Sequence, residues 1–139
     1  MFLIPLLVAL GCSSAFAEAL QRGDLLAQKG RWDHAAAEYE RALALEPGNE
    51  EARQKLWMAR RSQSSERVER ARVLLQQGDA PGAMMLAEEA ARLDPSSVPA
   101  RQILGEAIAR TLDGAEQLLA AGDARRALEL TTLVIRVAP

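Results

Sequence analysis

One glycine setting occurs three times in this chain, and that repeat constrains the fold more than any other feature. Gly30-Arg31-Trp32-Asp33-His34-Ala35 leads to Ala42, Leu45 and Pro47. Gly78-Asp79-Ala80-Pro81-Gly82-Ala83 leads to Ala90, Leu93 and Pro95, and Gly122-Asp123-Ala124-Arg125-Arg126-Ala127 leads to Val134, Val137 and Pro139. Each time a small residue follows the glycine by five positions, apolar residues by twelve and fifteen, and a proline by seventeen. Leu26, Leu74 and Leu118 lie four residues upstream of the glycines, and Gly23, Ala71 and Ala115 seven upstream. Self-similarity at fixed offsets is the signature of stacked repeats. The glycine ends a first helix, where a left-handed residue disfavours any side chain with a Cβ. The small residue lets a second helix approach the first. The proline ends the second helix, because it has no amide hydrogen and disfavours helix in the residue before it. The unit is a helical hairpin whose apolar stripe needs a neighbour to cover it.

These residues resemble the tetratricopeptide repeat. The first unit, residues 16–49, carries Gly23, Gly30, Trp32, Ala35, Tyr39, Ala42 and Pro47 in family positions. The other two cores are residues 64–97 and 108–139, with Pro81-Gly82 as an unusual start to a second helix and Thr131 where an aromatic is usual. The resemblance implies an all-α fold of tetratricopeptide-like hairpins, an α-solenoid. The period departs from the family: Gly30 to Gly78 is 48 residues and Gly78 to Gly122 is 44, against a usual period of about 34. The excess is close to whole helical turns, so the apolar face is preserved if the first helices of units two and three are lengthened. The paired strings Ala52-Arg53-Gln54-Lys55-Leu56 and Ala100-Arg101-Gln102-Ile103-Leu104 show that the extension is itself repeated. The competing reading is an extra short helix in each unit, with Asp113-Gly114-Ala115-Glu116 as a capping signal.

Composition excludes several function classes. Apolar residues are 49%, but only five residues are aromatic, which suits closely packed helices with few bulky anchors. The net charge of −2 fits neither an acidic disordered tail nor a basic nucleic-acid binder. One cysteine and one histidine exclude a disulfide framework and a cysteine-rich zinc site. No phosphate loop, nucleophile elbow or paired catalytic carboxylates occur, so no enzyme, cofactor or metal is expected. His34 reads as a surface residue. With 139 residues, a single core is expected.

Residues 1–17, MFLIPLLVALGCSSAFA, read as a signal segment ahead of a repeat domain over 18–139. The apolar run Phe2–Leu10 is too short to span a bilayer and has the length of a signal-peptide core. Leu10-Gly11-Cys12-Ser13-Ser14 resembles a bacterial lipobox with Cys12 as the lipidated residue, although Ala9 and Leu10 stand in swapped order. Ala15-Phe16-Ala17 resembles an ordinary signal-peptidase site, with cleavage before Glu18. Both readings export the chain. The first gives a periplasmic or outer-membrane-anchored bacterial lipoprotein, held to the membrane by its lipid.

Residues 60–67 carry no apolar side chain and are expected to project from the core or form a loop. Residues 50–72 hold seven basic and four acidic side chains with no series of aromatics alternating with them, which reads as a solvated face and not as a nucleic-acid site. By family resemblance the first helices line a concave groove. That carries a peptide-binding role to Leu20, Asp24 and Gln28, to Val68, Arg72 and Gln76, and to Leu112 and Glu116. The last second helix is more apolar than a solubilising cap, so Leu130, Val134 and Val137 are expected to form an interface, joining either a second copy or further repeats. The expected function is a protein-binding adaptor or assembly factor of the cell envelope, with a spacer segment of a larger exported protein as the alternative. The partner is a protein of unspecified identity.

Overall fold

The computed structural model describes the backbone of residues 5–137 and the side chains of residues 15–137. Six helices follow in order: α1 (Pro5–Gln28), α2 (Trp32–Leu45), α3 (Glu50–Gln76), α4 (Ala80–Leu93), α5 (Val98–Ala120) and α6 (Ala124–Val137). The lengthened first helices are present as α3 and α5, of 27 and 23 residues, against 14 for each second helix. α5 runs without a break through Asp113–Glu116, so no extra short helix forms there. A mid-helix Gly114 costs about 1 kcal/mol relative to alanine, too little to stop a helix packed on both sides.

The three glycines close the hairpins in one way. Gly30, Gly78 and Gly122 have φ of 68°, 86° and 85°, the left-handed region that glycine enters without strain. After each, the next amide donates back to the leucine four before the glycine: Arg31 to Leu26, Asp79 to Leu74 and Asp123 to Leu118, at 2.8–2.9 Å. This six-to-one closure satisfies a helix-end carbonyl and explains why the leucine offset repeats. The second helix then starts on a cap in two of the three hairpins. Asp79 accepts from the Gly82 amide at 2.9 Å, and Asp123 from the Arg126 amide at 3.1 Å.

The chain divides into two compact units at Gln63/Ser64, where a single core was expected from its length. Repeat arrays bury surface between neighbouring helices, so short chains of this kind need not converge on one centre. In the first unit α1 packs on α2, and two clusters form: Ala35, Ala36, Tyr39, Leu56 and Ala59, and Ala19, Ala42 and Ala52 with half-buried Phe16 against them. In the second, α4 packs on α5 and α5 on α6 around Val68, Ala71, Leu75, Met84, Ala87, Ile103, Ala107 and Val134.

Residues 60–67 do not project as expected. They are helical, with Gln63 and Ser64 only 6% and 1% exposed. Ser64 is small enough to lie under α4, and its hydroxyl donates to the Ala90 carbonyl at 2.8 Å, which removes the cost of burying it. The arginines around it reach outward to acids on the second helices: Arg60 pairs with Glu40 at 2.8 Å and Arg67 with Glu89 at 3.1 Å.

Candidate protein-binding cleft

One concavity among the described residues lies in the first unit. It has a volume of about 390 Å³ and is lined by Asp24, Ala27 and Gln28 of α1, Trp32 and Tyr39 of α2, and Lys55, Met58 and Ala59 of α3. Its floor depends on a close approach. A Cβ on Gly23 would stand 2.4 Å from a Tyr39 ring carbon, so α1 and α2 meet there only because residue 23 has no side chain. With the ring seated, the Tyr39 hydroxyl donates to Asp24 Oδ1 at 2.9 Å. Lys55 Nζ donates to both oxygens of the same carboxylate, at 2.7 and 2.6 Å. It also lies 3.2 Å from Glu51. One carboxylate therefore ties three helices together.

The electrostatics of this cluster fix its protonation. Burial, then the hydrogen bond to Asp24 and the Asp24 charge, push the Tyr39 phenol well above its ordinary value. Burial draws the Lys55 ammonium down, but its bonds to Asp24 and Glu51 outweigh that and raise it. Both groups hold their protons at neutral pH, so neither serves as a general base. The cluster is a clamp and not an acid–base pair. The surface it leaves for a ligand is largely apolar, with half-exposed Met58 and the amide of Gln28 at the mouth. Beside it on α3, Trp57 is 52% exposed with the Arg61 guanidinium 5.3 Å above its ring.

Of the groove residues implied by the family, the structure brings Asp24 and Gln28 into this cleft. Leu20 is half-buried against the core clusters beside them. In the second unit the set divides between core and surface. Val68 is only 3% exposed and belongs to the core, packed with Ala71, Leu75 and Met84, so it offers nothing to a groove. Arg72 is exposed and pairs with Glu69 at 2.7 Å. Gln76, Leu112 and Glu116 are exposed. A concavity on this unit is lined by other residues, Glu69, Arg70, Val73, Leu74 and Leu86. Tyr39, Lys55 and Met58 were not anticipated as cleft residues. The signal for Tyr39 was its spacing of seven from Trp32, which places both on one helix face.

The expected C-terminal interface is also rearranged. Val134 is 8% exposed, and Leu130 and Val137 are half-buried, with Val137 packed on the core of the second unit. The apolar residues that α6 presents to solvent are Leu128 and Ile135. Cys12 falls in the part of α1 whose side chains lie outside the described residues. Among the described residues no helix is long and apolar enough to cross a membrane, and no cluster of three or more His, Cys, Asp or Glu could hold a metal.

A family model described as tetratricopeptide repeat matches residues 16–49, the span that forms α2 and the described end of α1. No curated protein and no solved structure matches the chain. The match supports the tetratricopeptide family, whose repeats mediate protein–protein interaction and are typically non-enzymatic scaffolds.

Proposed function

We propose that this chain is an exported, lipid-anchored adaptor of a bacterial cell envelope, which holds an extended or helical segment of a partner protein in the cleft of its first unit. The observation that carries the binding role is that the family-matched residues Asp24, Ala27, Gln28, Trp32 and Tyr39 join Lys55, Met58 and Ala59 of α3 in one clamped, largely apolar cleft. Apolar concavities with a few placed polar groups are where ligands bind.

The lipid anchor draws support from packing. Phe16 lies against the cluster of Ala19, Ala42 and Ala52. Cleavage after Ala17 would remove that ring and uncover the cluster, whereas cleavage ahead of Cys12 keeps it. That packing is what supports the lipoprotein route over ordinary secretion.

Two measurements test the proposal. A photo-crosslinking side chain at Met58 is expected to capture one defined protein in cells, and the same group at exposed His34 is expected not to. Identical adducts from both sites, or none from Met58, would remove the binding role. Mass spectrometry of the mature chain should find a lipid-modified N-terminal Cys12. A mature N-terminus at Glu18 would remove the anchor.

A further inference from the structure

We infer that α6 pairs with α6 of a second copy of this chain, antiparallel, about a two-fold axis near Thr132. The starting point is the division of α6 into two opposite faces. At about 100° per residue, Ala127, Leu130, Val134 and Val137 fall on one side, and these are the residues turned toward α5 or half-buried. The opposite side is centred on exposed Thr132. One edge of it carries Leu128 and Ile135, at 67% and 65% exposure the two most exposed large apolar residues among those described. The other edge carries Glu129 and Arg136, both exposed, and neither has an ion-pair partner among the described residues. Several other exposed arginines of the chain, Arg22, Arg53, Arg60, Arg72, Arg92 and Arg110, do pair within it.

The order of these residues is self-complementary. A two-fold axis perpendicular to an antiparallel helix pair places each edge against the same edge of the partner, with the sequence reversed. Glu129 and Arg136 are seven residues apart, two helical turns, so reversal about Thr132 sets each Glu129 against the partner's Arg136. The same reversal sets Leu128 against the partner's Ile135. Both edges are satisfied by one operation, with Thr132 small enough at the centre for close approach. A parallel pair, with its two-fold axis along the helices, would instead set each charged edge against the partner's apolar edge. A shallow depression of about 450 Å³ already runs along this face, lined by Leu128, Glu129, Leu130, Thr132, Leu133 and Arg136. A helix of 14 residues is about 21 Å long, so the buried area is at the low end for a specific interface and the dimer is weak and reversible.

The charge edge makes the inference testable with the full chain, kept in mild detergent at low ionic strength and followed by sedimentation equilibrium. The wild-type chain is expected to show a reversible monomer–dimer equilibrium. Glu129→Arg or Arg136→Glu alone creates two like-charge contacts in the symmetric pair and should weaken dimerisation about tenfold or more. An equimolar mixture of the two variants, or the double variant, restores both contacts and should recover the dimer. Circular dichroism should be unchanged throughout, because both residues are exposed. A wild-type chain that stays monomeric, association indifferent to the single reversals, or a mixture that associates no better than its components would each overturn the inference.

Discussion

The two units solve the same packing problem with different side chains. In the first, Gly23 faces Tyr39 across the helix pair, and the ring fills the space that the glycine leaves. The equivalent positions, counted from the repeat glycine, are Ala71 and Ala87 in the second repeat and Ala115 and Thr131 in the third. There two small residues stand where the first repeat has one large and one absent side chain. The second unit contains no aromatic residue at all, since Trp57 is the last in the chain. Its largest fully buried side chains are Met84, Thr111 and Ser64. The contrast teaches that the same place in the hairpin takes either a glycine with a large ring or a pair of small residues. Only the version with an aromatic ring brings a hydroxyl to the first helix, and so only that version builds a polar clamp.

The largest expected effects come from breaking each solution. Tyr39→Ala should cost roughly 3–5 kcal/mol and Met84→Ala roughly 2–5 kcal/mol, because each empties the middle of a packed layer. Leucine separates the two cases. Met84→Leu should cost under about 1.5 kcal/mol, as a volume-conserving change does. Tyr39→Leu should cost more, since leucine cannot reach Asp24. Denaturation followed by tryptophan fluorescence reads the first unit alone, because Trp32 and Trp57 both lie there, while far-ultraviolet circular dichroism reads both. Equal costs for the two leucine variants would erase the distinction between the units.

A smaller effect tests the shared volume. Gly23→Ala introduces a Cβ against the Tyr39 ring and should cost about 1–3 kcal/mol by overpacking. In a Tyr39→Ala background the same change should cost almost nothing, which would reproduce the alanine pair of the second repeat. Additive costs in the double variant would mean that the two positions do not share space.

Smaller still is the loss expected at the buried serine. Ser64→Ala removes one hydrogen bond and leaves the Ala90 carbonyl with its other donor, the Asp94 amide at 3.0 Å. A loss of about 0.5–1.5 kcal/mol is expected from thermal or chemical denaturation. A loss several times larger would show that the hydroxyl organises more of this junction than a single bond.

The hairpins were legible in the sequence because glycine, leucine and proline act locally. A left-handed closure and a helix stop depend on a few consecutive residues, and those offsets repeat. The long helices were legible too, as insertions near whole turns. The burial of Ser64 was not, because a stretch without apolar side chains gives no inward signal, and only the neighbouring carbonyl makes the site acceptable. Val68 was carried onto a groove by its family position, where its own apolar, β-branched side chain decided for the core. The outward face of α6 could have been read from the sequence alone: Ala127 is fixed inward by the repeat, and Leu130, Val134 and Val137 follow it at three, seven and ten residues, on the same side. The clamp was half legible. Asp24 was named, but its partner Lys55 sits 31 residues away on another helix, and no local pattern announces a tertiary ion pair.

The most direct test of the clamp uses the fact that Tyr39 is the only tyrosine in the chain. Tyrosinate absorbance during an alkaline titration therefore reports on that one hydroxyl. An exposed phenol ionises near pH ~10. Here the folded value is raised, so above pH ~10 the unfolded chain gives up a proton that the folded chain keeps, and stability falls as pH rises. Folded protein is predicted to show no tyrosinate near the ordinary value, with ionisation delayed until well above it or until unfolding. Asp24→Asn should move the onset down, because the carboxylate's charge is one cause of the shift. Ionisation near the ordinary value in folded protein, unaffected by Asp24→Asn, would contradict the clamp and the cleft built on it.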